Sequence, residues 1–335
     1  MHEPQLTANH PVMMDVLLEI LGFAGKGLIV FITVAACAAI LVALLRPSRR
    51  GASHEGRLEV RKLNEQLRGA AEALHAAMMA PKDYKKRSKA LAKEDKKRQR
   101  QKRNVFVLDF KGDIMATAVE GLRREVTALL AVAGDQDEVV LRLDSPGGTV
   151  PNYGLAASQL ARLRERDLKL TVCIDKMAAS GGYLMACVAE QIIAAPFAIV
   201  GSIGVVAPLP NLHRLLERHG VDYENVTAGK YKRTVSFLAE NDDEGRRKFQ
   251  EQLDETHDLF KAFIHQNRPE LDVEQVATGE YWHGTRAAEL GLVNQLMTSD
   301  DYLMSKLDSA NLLMVSFHRH RKVRERGKVV RYDSR

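Results

Sequence analysis

Ser180 lies in the stretch Met177-Ala178-Ala179-Ser180-Gly181-Gly182-Tyr183-Leu184. These residue types suit acyl transfer. A hydroxyl nucleophile sits where a strand would turn into a helix. The glycines behind it remove side chains where a substrate backbone could approach. The N–H groups of the helix start are free to face a developing negative charge. Serine is also a good N-cap, and Gly-Gly also permits tight helix packing, so this stretch alone leaves both readings open. A second loop, Asp144-Ser145-Pro146-Gly147-Gly148, has a related meaning. Pro146 fixes one dihedral, and Gly147 and Gly148 can adopt positive φ and turn N–H groups outward, which suits an oxyanion. A plain type II turn is the alternative. The two loops together are more specific than either alone.

A serine nucleophile needs a base. A Ser–His–Asp arrangement would draw on His213 or His219, or on His257 or His265, all on downstream polar helices. None is placed compellingly. A serine–lysine pair needs a neutral, partly buried amine. Ala228-Gly229-Lys230-Tyr231-Lys232-Arg233-Thr234 follows a predicted strand over residues 223–227 and offers two lysines. Spacing does not choose between Lys230, Lys232 and a purely surface role.

The elements that must hold these loops are readable. Residues 105–110 read as a strand, 115–131 as a helix, 138–143 as a second strand and 152–163 as a second helix. Residues 168–174 form a third predicted strand leading to the helix at Ser180, and 191–194 a short fourth. This alternation predicts an α/β fold of βαβ units with a largely parallel sheet. Ligand sites in such folds lie at the C-terminal ends of strands, where both glycine loops fall.

The chain has 335 residues, enough for one large domain or two modest ones, with a small basic excess. Cys37, Cys173 and Cys187 carry no CxxC spacing, so neither a disulfide framework nor a cysteine metal site is expected. Residues 27–45 are about 19 residues without a charge, long enough to span a bilayer. Asp15 and Glu19 upstream, with no small-x-small site before Arg46, argue against a cleaved signal peptide. A single membrane helix is expected. Arg46, Arg49, Arg50, Arg57, Arg61 and Lys62 follow it and only Lys26 immediately precedes it, which favours a cytoplasmic C-terminal part. Val60, Leu63, Leu67, Ala70, Leu74 and Ala77 are spaced as a heptad seam or as an amphipathic helix lying on its own domain. Pro81 stops that helix. Residues 82–103 are strongly basic. A solvated face is the first reading, anionic lipid headgroups the second and nucleic acid the third, since no stacking aromatics accompany the charge. The tail, residues 318–335, is also basic and is expected to be poorly ordered.

Four motifs occur in order: Asp144-Ser145-Pro146-Gly147-Gly148, Ala179-Ser180-Gly181-Gly182-Tyr183, Gly201-Ser202-Ile203-Gly204-Val205 and Gly229-Lys230-Tyr231-Lys232. A closing segment, Gly279-Glu280-Tyr281-Trp282-His283-Gly284, follows. Together they resemble the signal peptide peptidase A type of serine protease, the S49 family. The layout resembles that family's branch with one catalytic domain and a membrane anchor. The resemblance implies a ClpP/crotonase-like fold, Ser180 as nucleophile and Lys232 as general base. It implies Ser202 as the hydroxyl orienting that lysine, and Gly181 with Gly147 or Gly148 as the oxyanion hole. Lys230 matches no catalytic position. No metal and no cofactor is implied. Peptide or protein substrates, the bacterial inner membrane and a homo-oligomer with serine and lysine from adjacent copies are implied as partners and setting; nucleic acid is not. The expected division is residues 1–50 with the membrane segment, 51–103 as a helical basic linker, 104–317 as the catalytic domain and 318–335 as the tail. A crotonase-type acyl-CoA enzyme, which would need a carboxylate in its pocket, is the alternative enzyme. An inactive membrane scaffold is the alternative without chemistry.

Overall fold

The computed structural model describes residues 34, 56–98, 103–325 and 328–333, with side chains for residues 34, 56–91 and 103–319. In chain order the elements are β1 (Gly56–Lys62), α1 (Leu63–Met78), α2 (Pro81–Arg98), β2 (Arg103–Lys111), α3 (Val119–Leu130), β3 (Glu138–Asp144), α4 (Val150–Arg164), β4 (Lys169–Ile174), β5 (Met177–Ala179) and α5 (Gly181–Ala186). They continue as β6 (Gln191–Ala194), β7 (Ile199–Gly201), α6 (His213–Arg218), α7 (Asp243–Asn267), α8 (Val273–Val276), β8 (Tyr281–His283), α9 (Gly284–Glu289), β9 (Gln295–Leu296), α10 (Ser299–Lys306), β10 (Ala310–Glu325) and β11 (Lys328–Asp333). The main sheet has the order β1-β10-β2-β3-β4-β6-β9, with β11 beside β10. It is parallel from β10 to β9 and antiparallel at β1 and β11, so the fold is α/β with a mixed sheet. A second, three-stranded sheet, β5-β7-β8, lies beside it.

The strands at the centre are apolar at successive positions because both faces are covered. Phe106, Leu108 and Phe110 join one core with Leu122 and Val126 of α3 and Leu160 and Leu163 of α4. Val105 and Val107 join the other with Tyr302 and Leu303 of α10. Glu138 is buried at the start of β3 and accepts from Thr171 Oγ1 (3.0 Å), Lys306 Nζ (3.1 Å) and the Tyr302 hydroxyl. Burial by itself would raise its carboxyl, but the Tyr302 hydroxyl and the Lys306 ammonium outweigh burial and hold it below the ordinary value. These bonds tie α10 to the sheet.

Glu125 on α3 is also buried, and its Oε1 accepts the Phe317 N–H of β10 at 2.7 Å. Burial pushes its carboxyl from 4.5 up to about 7, against the downward pull of that N–H. The folded value lies above the unfolded one, so the folded state binds the extra proton between these limits. Its contribution to stability is therefore lost as pH rises through that window, by roughly 3 kcal/mol. Urea unfolding of wild type and Glu125→Gln at pH 5 and pH 8 checks this. The wild type should lose stability relative to the variant at the higher pH, and a constant difference would contradict the assignment.

Several expectations change. The helix expected from residue 115 begins at Val119, because Ala116 takes a left-handed turn conformation, φ 47°. The strand expected over residues 223–227 does not form; those residues are exposed and pair with no strand. Strand-forming residue types make no strand without an edge to join. Val60 belongs to β1, so the expected seam begins inside a strand. Leu63 and Leu67 pack onto the sheet, whereas Leu74 and Met78 remain exposed, so the first half of α1 lies on its own domain. The first two residues of the expected tail continue β10, where His318 and Arg319 face Arg57 and Gly56. The predicted membrane segment, residues 27–45, lies outside the described residues apart from Val34. No helix among the described residues is long and apolar enough to cross a membrane.

Candidate active site

β5 delivers Ser180 to the start of α5 with φ 51° and ψ −119°. A left-handed serine of this kind costs on the order of 1–3 kcal/mol and persists only where its surroundings over-determine it. They do so here. Ser180 N–H donates to Gly201 O at 2.8 Å, and Leu184 N–H donates to Ser180 O at 3.0 Å. Behind the serine, a Cβ on Gly181 would strike the Tyr153 ring.

The neighbouring strand repeats the geometry. β5 and β7 are parallel with Ala179 opposite Gly201, which sets Ser180 and Ser202 side by side at their C-terminal ends. Ser202 is also left-handed, φ 52°, and its N–H donates to Glu280 O at 2.6 Å. Beneath it Trp282 of β8 packs against Gly201, where a Cβ would stand 2.8 Å from the indole. The closing segment of the sequence thus supports the turn carrying Ser202.

The loop after β3 reaches the same point. Ser145 N–H donates to Met177 O at 2.8 Å and Ala179 N–H to Ser145 O at 3.0 Å, joining the main sheet to the small one. Gly147 has φ +82°, and a Cβ there would lie 2.7 Å from Gly181 N and 2.8 Å from Ser180 Cβ. Gly147 N–H is turned inward, to Ser145 Oγ at 3.1 Å. Among the described residues, the N–H groups of Gly148 and Gly181 have no protein partner. Of the two glycines the sequence left open, Gly148 is the one whose N–H is free.

Beside Ser180 opens a cavity of about 240 Å³. Val150, Tyr153 and Leu184 line it on one side, and Leu259, Phe260 and Phe263 of α7 close it on the other. Its lining contains neither a carboxylate nor a histidine. His213 and His219 lie on α6, and His257 and His265 on α7, none of them in this lining. The sequence offered α7 only as a polar helix carrying His257 and His265, so the apolar wall it gives the cavity went unread.

The lysines separate by their contacts. Lys230 Nζ pairs with Glu244 at 2.6 Å and lies 5.1 Å from the centroid of the Tyr231 ring. The Glu244 carboxylate raises its ammonium above the ordinary value, the wrong direction for a base. Lys232 is exposed, and its side chain has no hydrogen-bond or ion-pair partner among the described residues. It does not line the cavity at Ser180. Within one chain, Ser180, Gly148 and Gly181 line one cavity with Ser202 beside Ser180 at the strand ends, and Lys232 makes no side-chain hydrogen bond to any of them.

Two backbone donors facing a strained serine beside an apolar cavity form a site suited to acyl transfer. The chain belongs to peptidase family S49, a family of serine peptidases: the description "Peptidase family S49" matches residues 162–312 and "Peptidase family S49 N-terminal" matches residues 15–160. A relative named "Probable protease SohB" from Haemophilus influenzae is 48% identical over 280 residues, covering 79% of each chain. One of the same name from Buchnera aphidicola is 53% identical over 225 residues, covering 67% of each chain. A "Putative protease slr0021" from Synechocystis is 33% identical over 194 residues, 56% of this chain and 69% of its own.

Proposed function

We propose that the protein is a membrane-anchored serine endopeptidase with a Ser180–Lys232 dyad on a ClpP/crotonase-like fold. In this reading neutral Lys232 Nζ takes the Ser180 proton as Oγ attacks a peptide carbonyl. Gly148 and Gly181 N–H stabilise the resulting oxyanion. Collapse breaks the C–N bond, the amine leaves with the proton from Lys232, and an acyl-serine remains. Water then attacks the ester, giving its proton to Lys232, and Ser180 is released. Ser202 orients the lysine amine. The observation that carries the reading is the left-handed Ser180 beside two unpartnered N–H groups. The cavity favours an extended peptide with an apolar side chain next to the scissile bond, and its lack of a carboxylate disfavours the acyl-CoA alternative. A fluorophosphonate probe should label the wild type and fail to label Ser180→Ala; equal labelling of both would place the nucleophile elsewhere.

In the same reading the dyad forms between copies. Two observations support it. Lys232 is exposed and without a side-chain partner, and the segment that carries it, residues 206–237, exposes Val206, Leu209, Leu215, Val226 and Phe237. Apolar side chains exposed along one segment fit association with another copy better than solvation. Association of several copies would bury it and carry Lys232 to the Ser180 of a neighbour.

The anchor is residues 27–45, a charge-free stretch of bilayer length, and the bacterial inner membrane is its setting. A chain lacking residues 1–50 should leave the membrane fraction at ordinary salt. Retention that yields only to high salt would assign the attachment to the basic residues 82–103 instead.

A further inference from the structure

We propose that Tyr153 is a positioning residue that aims the oxyanion loop through Ser145, an inference that rests on the acyl-transfer reading of Ser180. Tyr153 stands on α4 and is fully buried. Its hydroxyl lies 2.8 Å from the Asp113 carbonyl and 2.6 Å from Ser145 Oγ. A carbonyl can only accept, so the single phenolic proton goes to Asp113 O. Tyr153 Oη must then accept, and Ser145 donates to it. Ser145 Oγ in turn accepts Gly147 N–H at 3.1 Å. The result is a chain with one direction: Gly147 N–H to Ser145, Ser145 to Tyr153, Tyr153 to the Asp113 carbonyl. Burial raises the Tyr153 phenol above its ordinary value, so its proton stays in place across the working range.

The direction of the chain matters at the site. It draws Gly147 N–H into the protein, and the left-handed φ of Gly147 then leaves Gly148 N–H as the loop's outward donor. The Tyr153 ring also backs Gly181, the second donor, where any Cβ would strike it. One side chain therefore sets both donors. Removing its hydroxyl leaves Ser145 without an acceptor and frees the Gly147 turn, while the ring and the cavity wall remain.

The test uses the full chain, a fluorogenic tetrapeptide with an apolar residue before the scissile bond, and a tripeptide aldehyde that forms a tetrahedral adduct with serine. Tyr153→Phe should lower kcat by about 10- to 100-fold with KM within about twofold. Affinity for the aldehyde should weaken by the same factor as kcat. Ser145→Ala should act alike, and the double variant should lose no more than the worse single one, because a chain cut once is already broken. A loss confined to KM, multiplicative losses in the double variant, or unchanged turnover in Tyr153→Phe would overturn the proposal. Ser180→Ala in the same assay separates the two layers. Turnover retained there overturns the nucleophile; turnover lost there, with Tyr153→Phe unaffected, overturns only the positioning role.

Discussion

Replacing Lys232 with alanine should reduce peptidase turnover by about 10⁴-fold or more, the scale on which nucleophile–base units fail when one member is lost. Lys230→Ala should keep most of the activity. The reason is chemical. A serine hydroxyl is a poor nucleophile until a neighbouring base takes its proton, and a lysine can serve only as the neutral amine. Lys230 is held as a cation by Glu244 and stacked on Tyr231, so its removal leaves that base untouched. Lys232→Arg should be as inactive as Lys232→Ala, because a guanidinium does not deprotonate in any working range. Turnover retained in either Lys232 variant would remove this residue from the mechanism. Mixing adds the second half of the test. Ser180→Ala and Lys232→Ala proteins, each inactive, would be dissociated, combined and reassembled. Recovered activity is expected if the dyad spans two copies, since some interfaces then pair an intact Ser180 with an intact Lys232. No recovery in mixed oligomers shown to form would confine the dyad to one copy.

Gly147→Ala should damage turnover far beyond the size of one methyl group. The glycine sits at φ +82°, where a Cβ would stand 2.6 Å from Ala179 O, 2.7 Å from Gly181 N and 2.8 Å from Ser180 Cβ. The backbone conformation alone costs an L-residue about 1–2 kcal/mol. The larger effect falls on chemistry, because relief of these contacts must move the oxyanion donors or the nucleophile. Loss of one donor elsewhere costs about 10²–10³ in kcat, and the same or greater is expected here. Gly69→Ala is the control. Gly69 lies on α1 with nothing within 4 Å of a new Cβ. That change should add about 0.5–1 kcal/mol of stability and leave turnover alone. Steady-state kinetics and urea midpoints on both variants decide the matter. Normal kcat in Gly147→Ala would mean that this loop does not face the reacting carbonyl.

Sequence alone determined the alternating elements of the α/β core and both glycine loops. Apolar strand runs and Gly-Gly turns are local signals, each carried within a few residues. The errors fell where a neighbour distant in the chain decides. Residues 223–227 have strand-like composition but no edge to pair with. Residues 310–319 read partly as tail, yet they form β10 because β1 and β2 supply partners from the other end of the chain. Lys230 and Lys232 were indistinguishable by spacing. Only the tertiary structure set Glu244 against the first and left the second exposed. The same holds for the oxyanion loop. Pro-Gly-Gly announces a turn with outward N–H groups, but which N–H faces out depends on where Ser145 sends its proton, and that is decided by Tyr153 and the Asp113 carbonyl across the fold. Hydrogen bonds between residues far apart in sequence leave no periodicity behind them, so they become visible only when the chain is folded.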